Sequence, residues 1–295
     1  MLRWFNAFRL RTLPVAFSCI ITGNGLALAE GKFSALVFVL ALMTTVLLQI
    51  LSNLANDYGD YTKGVDNDDR VGPSRSLQSG LINKKEMIHA MWVVSFLCSI
   101  SGVSLIYYGT LGLNIVKIAL FCFLGLSAMF AAMKYTMGKN PYGYSGFGDL
   151  FVFLFFGWLG VFGSYFLQTH SIDLILFLPA SSIGFFTAAV LNINNMRDHK
   201  GDKESNKNTL VVKMGLANAK KYQILINSLG ILLMFIFLIP HPSSILMLII
   251  GVLLFIKPTI NLLKSYDYTT FDPYLKKQAI ATFLFSMLFV VSVNL

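Results

Sequence analysis

Charge is the first thing this sequence lacks. Only 13% of its 295 residues are Asp, Glu, Lys or Arg, 56% are hydrophobic, and the mean hydropathy is +0.68. Too little polar surface remains to cover a water-soluble domain of this size, which excludes that class and intrinsic disorder alike. Cysteine is scarce as well. Cys19, Cys98 and Cys122 stand alone in apolar runs, with no CxxC pair, so neither a disulfide framework nor a thiolate metal site is expected. The four histidines, His89, His170, His199 and His241, are scattered and form no HExxH pattern, so none is expected to ligate a metal. What remains is a polytopic membrane protein with no nucleic-acid partner, its net charge of +9 being a matter of topology. The first apolar stretch has no small-residue cleavage pattern and is followed by others, so it reads as a first span and not a removed signal.

Runs long enough to cross about 30 Å of hydrocarbon at about 1.5 Å per residue occur at 13–29, 33–53, 87–108, 115–133, 150–167, 174–193, 222–239, 244–263 and 278–293. These predict an all-α bundle of nine transmembrane helices forming a single domain over residues 1–295. If the N-terminus is cytoplasmic, the loops on its side hold 21 of the 23 Lys and Arg, leaving only Lys32 and Lys117 opposite. The positive-inside rule therefore puts the N-terminus in the cytoplasm and Leu295 outside. Two inner loops run to about 30 residues, too long for turns and typical of loops that carry function.

The second and sixth runs exit alike. One ends in Asn53, Asn56, Asp57 and Asp60, the other in Asn192, Asn195, Asp198 and Asp202, each set on one helical face and together a weak internal duplication. Carboxylates at helix C-termini add to the negative end of the macrodipole and need cations. Oxygen-only donors suit a hard ion such as Mg²⁺, which binds through a few carboxylates together with substrate phosphates. Asp66 follows the first group and is a further candidate, whereas Asp68 and Asp69 read as a solvated loop. Between them and the third run, 70–80 carries Arg70 and Arg75 in a Gly/Pro-fixed turn; both could reach phosphate oxygens, or simply obey the positive-inside rule. Lys203 and Lys207 follow the second group. Arg11 and Lys134 sit at inner membrane edges, where reading a substrate and snorkelling are both open. Tyr135, Tyr142, Tyr144 and Asp149 lie between the fourth and fifth runs, where an interfacial aromatic belt is the alternative. A secondary transporter would share the repeats and acidic helix ends, but such proteins bury acids near the midplane and no expected span has one there.

The acidic helix ends, the loop closing on Gln78-Ser79-Gly80, and the segments Asn195-Met196-Arg197-Asp198 and Lys207-Asn208-Thr209-Leu210 resemble the UbiA superfamily of intramembrane aromatic prenyltransferases. The opening Arg9-Leu10-Arg11-Thr12-Leu13-Pro14 is similar to the branch that prenylates 1,4-dihydroxy-2-naphthoate in menaquinone biosynthesis. So is the absence of an acid at Gly64, four residues after Asp60, with Asp66 next instead. The resemblance, which runs to about Gly215, implies a helical bundle around a central cavity opening toward the cytoplasmic side of a prokaryotic inner membrane. It implies Mg²⁺ held by Asn56, Asp57, Asp60, Asp66, Asp198 and Asp202. Asp57, Asp60, Asp198 and Asp202 would be catalytic, and Arg75, Lys203, Lys207, Asn53 and Asn56 would bind the diphosphate. Arg11, Lys134 and Asn195 would face the aromatic substrate. The implied partners are a polyprenyl diphosphate, 1,4-dihydroxy-2-naphthoate and the lipid bilayer, with 4-hydroxybenzoate as the alternative acceptor.

Overall fold

The structure, a computed structural model, describes residues 2–67, 70–240 and 244–295; Asp68, Asp69 and His241 lie outside them. Among the described residues it is helical with no strand. A short helix α1 (Leu2–Phe8) and a 3-10 turn (Leu10–Thr12) lead into α2 (Leu13–Ala29), α3 (Ala35–Thr62), α4 (Lys84–Gly109) and α5 (Ile115–Lys134). Then come α6 (Gly148–Val152), a π-helical stretch (Phe153–Gly163) and α7 (Ser164–Thr169), which together make one span. The chain ends with α8 (Phe177–Glu204), α9 (Leu210–Met214), α10 (Leu216–Leu238), α11 (Ser244–Lys264) and α12 (Asp272–Val293). Among the described residues eight helices are long and apolar enough to cross a membrane. The run expected at 244–263 coincides with α11, a 21-residue helix that contains Pro258.

Side-chain caps set four of the starts. Ser34, Asn83, Asn114 and Thr209 each accept a backbone N–H at the head of α3, α4, α5 and α9, and Asn83 forms a reciprocal capping box with Glu86. Two helices outrun their apolar sequences: α3 continues nine residues past the expected end at 53 and α8 eleven past 193. At about 1.5 Å per residue each 28-residue helix spans about 42 Å, about two-fifths more than the hydrocarbon, and the surplus carries the Asn and Asp residues out of one end of the bundle.

Helices α2 and α8 are the most enclosed spans and α5 the least. Around α8 pack α10, the π-helical stretch and α12, while α12 also lies along α2, so the last helix closes against the first. Stacked Phe186 and Phe255 with Phe285 edge-on form the centre of the larger apolar core. The other half, α3, α4 and α5, leaves a cavity of about 340 Å³ facing the π-helical stretch. The wider π turns bring Phe155, Phe156, Leu159, Gly160 and Gly163 to its wall.

Candidate active site

The surplus turns of α3 and α8 come together at the mouth of that cavity, joined by basic side chains they share. Lys207 Nζ donates to Asp60 Oδ2 at 3.0 Å and lies 3.6 Å from Asp202 Oδ1. Arg70 pairs with Asp66 and reaches Asp198 Oδ2 at 3.4 Å. Arg75 Nε sits 3.5 Å from Asp57 Oδ1 and 4.0 Å from Asp66 Oδ2 but makes no hydrogen bond there. Five carboxylates, Asp57, Asp60, Asp66, Asp198 and Asp202, are thus interleaved with cations and removed from bulk water.

Close backbone approach makes this possible. A Cβ on Gly59 would lie 2.5 Å from Thr136 Oγ1, so the chain leaving α5 presses on α3 between Asp57 and Asp60; Thr136 Oγ1 donates to Ala55 O at 3.0 Å. That strap carries Tyr144 over the site, where its hydroxyl donates to Asp60 Oδ1 at 2.7 Å and its ring lies 4.4 Å from Lys63 Nζ and 5.3 Å from Lys207 Nζ. Gly72 fills the same need on the other flank: a Cβ there would lie 2.9 Å from Arg197 Cζ.

Burial shifts the titrating loop groups. It opposes the charge of Lys207, yet Asp60 and Asp202 more than offset this and hold its pKa well above the ordinary value. Arg75 is lowered to about 9 by burial and by neighbouring Arg9. Burial raises the Asp66 carboxyl even though Arg70 pulls it down, and raises the Tyr144 phenol, with Asp60 adding to it.

Residues to which the sequence reading gave no role complete the site. Arg9, in the left-handed region at φ 49°, donates to Asn56 Oδ1 at 2.7 Å and pairs with Asp57. Arg197, almost fully buried, forks onto Asp198 at 2.8 and 2.7 Å. Its remaining nitrogen donates to Asp272 Oδ1 at 2.5 Å, and Arg11 binds both oxygens of Asp272 at 3.0 and 2.8 Å. Nothing in the spacing pointed to Asp272, which lies in a stretch that read as a basic loop.

The expected residues are not all in one place. Asn53 gives its amide to Phe8 O at 2.9 Å and accepts from Gln49 at 3.4 Å; Asn192, its counterpart in the repeat, gives its own to Ala219 O and Gln223 Oε1. Each ties its helix to a neighbour. Lys203 is exposed and has no ion pair among the described residues. Asn195 is buried and off the cavity wall, which its neighbour Asn194 lines together with Asn53 and Asn56. Lys134 and Arg11 stay off the cavity wall. Tyr135 and Tyr142 are on it, Tyr142 stacked on Phe151 at 4.0 Å, whereas buried Asp149 is not. Among the described residues no three His, Cys, Asp or Glu side chains converge as a metal cage.

The donor chemistry nevertheless fits a hard divalent ion: every acid at the site offers oxygen only, and buried Asp66 Oδ2 has no hydrogen-bond partner. A polar, doubly acidic mouth over an apolar cavity suits a substrate with a polyanionic head and a greasy tail.

The sequence profile of the UbiA prenyltransferase family matches residues 16–290. A protein of Escherichia coli K12 named 1,4-dihydroxy-2-naphthoate octaprenyltransferase is 42% identical over 294 residues, covering 99% of this chain and 95% of its own. One of the same name from Haemophilus influenzae is 45% identical over 232 residues, 78% of this chain and 74% of its own. A solved UbiA homologue from Archaeoglobus fulgidus bound to GPP and Mg²⁺ superposes with a TM-score of 0.64 at 15% identity, over 99% of this chain and 100% of that one. A homologue from Aeropyrum pernix K1 gives 0.65 at 14%, over 95% and 96%.

Proposed function

Because the chain belongs to the UbiA prenyltransferase family, we propose that it transfers a polyprenyl group from its diphosphate to 1,4-dihydroxy-2-naphthoate with loss of CO₂, yielding the hydroquinone form of demethylmenaquinone. The observation that carries this reading is the pair of acidic helix ends sharing Lys207 and Arg70 at the mouth of an apolar cavity.

Asp57, Asp60, Asp66, Asp198 and Asp202, with Asn56, would hold Mg²⁺, which would neutralise the diphosphate as it leaves. Arg75 and Lys207 contribute further positive charge at the same place, Lys207 kept ionised by the acids around it. The cavity takes the tail and excludes water from the allylic carbon, and the faces of Tyr142, Phe151 and Phe155 stabilise its developing charge. Electrons of the breaking C–O bond go to the diphosphate; the acceptor's ring carbon bonds the allylic carbon, and its C–CO₂ bond then breaks to restore the ring. Asn53 serves by fixing α1 against α3, and Lys203 by raising the potential at the rim. The same reading has nine helices spanning a prokaryotic inner membrane, N-terminus and site cytoplasmic, as the distribution of Lys and Arg supports.

The test uses purified protein in detergent with Mg²⁺, a polyprenyl diphosphate and either 1,4-dihydroxy-2-naphthoate or 4-hydroxybenzoate, following prenylated product and CO₂. Product and CO₂ with the naphthoate alone are expected, and Asp60→Asn or Asp198→Asn should reduce turnover at least about a hundredfold in folded protein. Product with the benzoate alone would overturn the acceptor, and near-normal rates in either variant would overturn the site.

A further inference from the structure

Resting on that reading, we infer that Arg9 recognises the carboxylate of the aromatic acceptor. Among the described residues it is the only charged side chain lining the cavity; its polar neighbours there, Thr12, Gln49, Ser52, Asn56 and Asn194, are neutral. The other arginines near the mouth are committed elsewhere. Arg11 has both oxygens of Asp272, Arg197 forks onto Asp198, and Arg70 and Arg75 stand among the acids off the cavity wall.

Arg9 has spare capacity. One terminal nitrogen serves Asn56 and Asp57, while its buried Nε has no hydrogen-bond partner. A guanidinium presents five N–H donors in a fork matched to a carboxylate, so an arginine on the wall of an apolar cavity that keeps an unpartnered donor is a recognition element for an anion.

The fold works to keep it there. Arg9 adopts φ 49° and ψ 52°, a left-handed conformation that non-glycine residues seldom take. The carbonyls on either side of that bend are tied down: Asn53 Nδ2 donates to Phe8 O at 2.9 Å, and Thr12 donates to Arg9 O through both its N–H and its hydroxyl, each at 2.9 Å. The aromatic wall of Tyr135, Tyr142 and Phe151 lines the same cavity, which suits a flat ring bearing an anionic substituent.

The experiment compares inhibition by 1-hydroxy-2-naphthoate with that by 1-naphthol, which lacks the carboxylate, in the naphthoate-prenylation assay. In the wild-type protein the acid should bind about ten- to a hundredfold better. In Arg9→Gln that ratio should fall to about one, while KM for the acceptor rises by a similar factor and KM for the polyprenyl diphosphate moves far less. The ratio is the readout because loss of a partner of Asp57 slows turnover whatever occupies the acceptor site. Arg9→Lys keeps the charge beside Asp57 if the glutamine variant fails to fold; it should keep an intermediate ratio. A ratio unchanged in both variants, or an effect on diphosphate KM alone, would overturn the assignment to Arg9 and leave the proposed function standing. A folded wild-type protein that turns over no naphthoate would overturn both.

Discussion

Lys207→Met removes the cation that two carboxylates share while keeping most of the side chain's length. The Lys207 side chain is 9% exposed and those of Asp60 and Asp202 are 3% each, so solvent screening is small. At 3.0 and 3.6 Å each pairing is worth about 5 kcal/mol of gross attraction at an effective dielectric of 20. Desolvation consumes most of that, and removing one member of such a buried group costs about 3–5 kcal/mol, because charge is left uncompensated. Thermal unfolding in detergent without divalent ions should therefore show a midpoint lower by about 5–8 °C. If these acids bind Mg²⁺, the ion supplies what the lysine gave, and saturating Mg²⁺ should raise the variant's midpoint by several degrees more than the wild type's. Prenyl transfer should still fall sharply, since Mg²⁺ restores charge but not the ammonium's contact with the diphosphate. Equal Mg²⁺ increments in the two proteins would refute the reasoning, as would a metal-free loss below about 1 kcal/mol, the level of an exposed ion pair.

Asp272→Asn leaves Arg11 and Arg197 facing each other without their shared acid. It should lower stability by about 2 kcal/mol, between the exposed and buried limits since Asp272 is 32% exposed, and raise the Mg²⁺ concentration for half-maximal turnover as Arg197 tightens on Asp198. Asp272→Glu should recover most of both. Gly125 lines the cavity, and an added Cβ would meet only Ile106 Cδ1 at 3.8 Å. Gly125→Leu should leave stability nearly unchanged yet cut turnover of long polyprenyl diphosphates at least about tenfold relative to geranyl diphosphate, read from product chromatography.

The spans were legible because hydropathy reports burial in lipid, and the acidic faces were legible because asparagine and aspartate recurred at helical spacing. The same property blurred the helix ends. Residues 54–62 and 194–204 are polar by composition, yet they stay helical because ion pairs and packing cover them outside the hydrocarbon. Arg75 was legible as a guanidinium in a Gly/Pro-fixed turn, and family resemblance gave Lys207 its role; the positions of both follow from loop turns that no periodicity encodes. Arg9 was visible only as part of a motif; its role depends on a left-handed bend held by Asn53, bonded to Phe8 O across 45 residues, and by Thr12, bonded to Arg9 O across 3. Asp272 stands 261 residues from Arg11 and 75 from Arg197, and a single sequence carries no trace of contacts at that range. The π-helical stretch escaped notice for a different reason: its glycines and phenylalanines fit an ordinary apolar span.

The contact between the first span and the last also sets a timetable for biogenesis. Arg11 is made 261 residues before Asp272, a delay of on the order of ten to fifty seconds at ribosomal speeds. Throughout that interval α2 is in place while Asp272 has yet to be translated, and over its last 75 residues Arg197 is present too. For that final stretch the nascent bundle must hold two arginines without their shared acid, screened by water, lipid phosphates or an insertion factor.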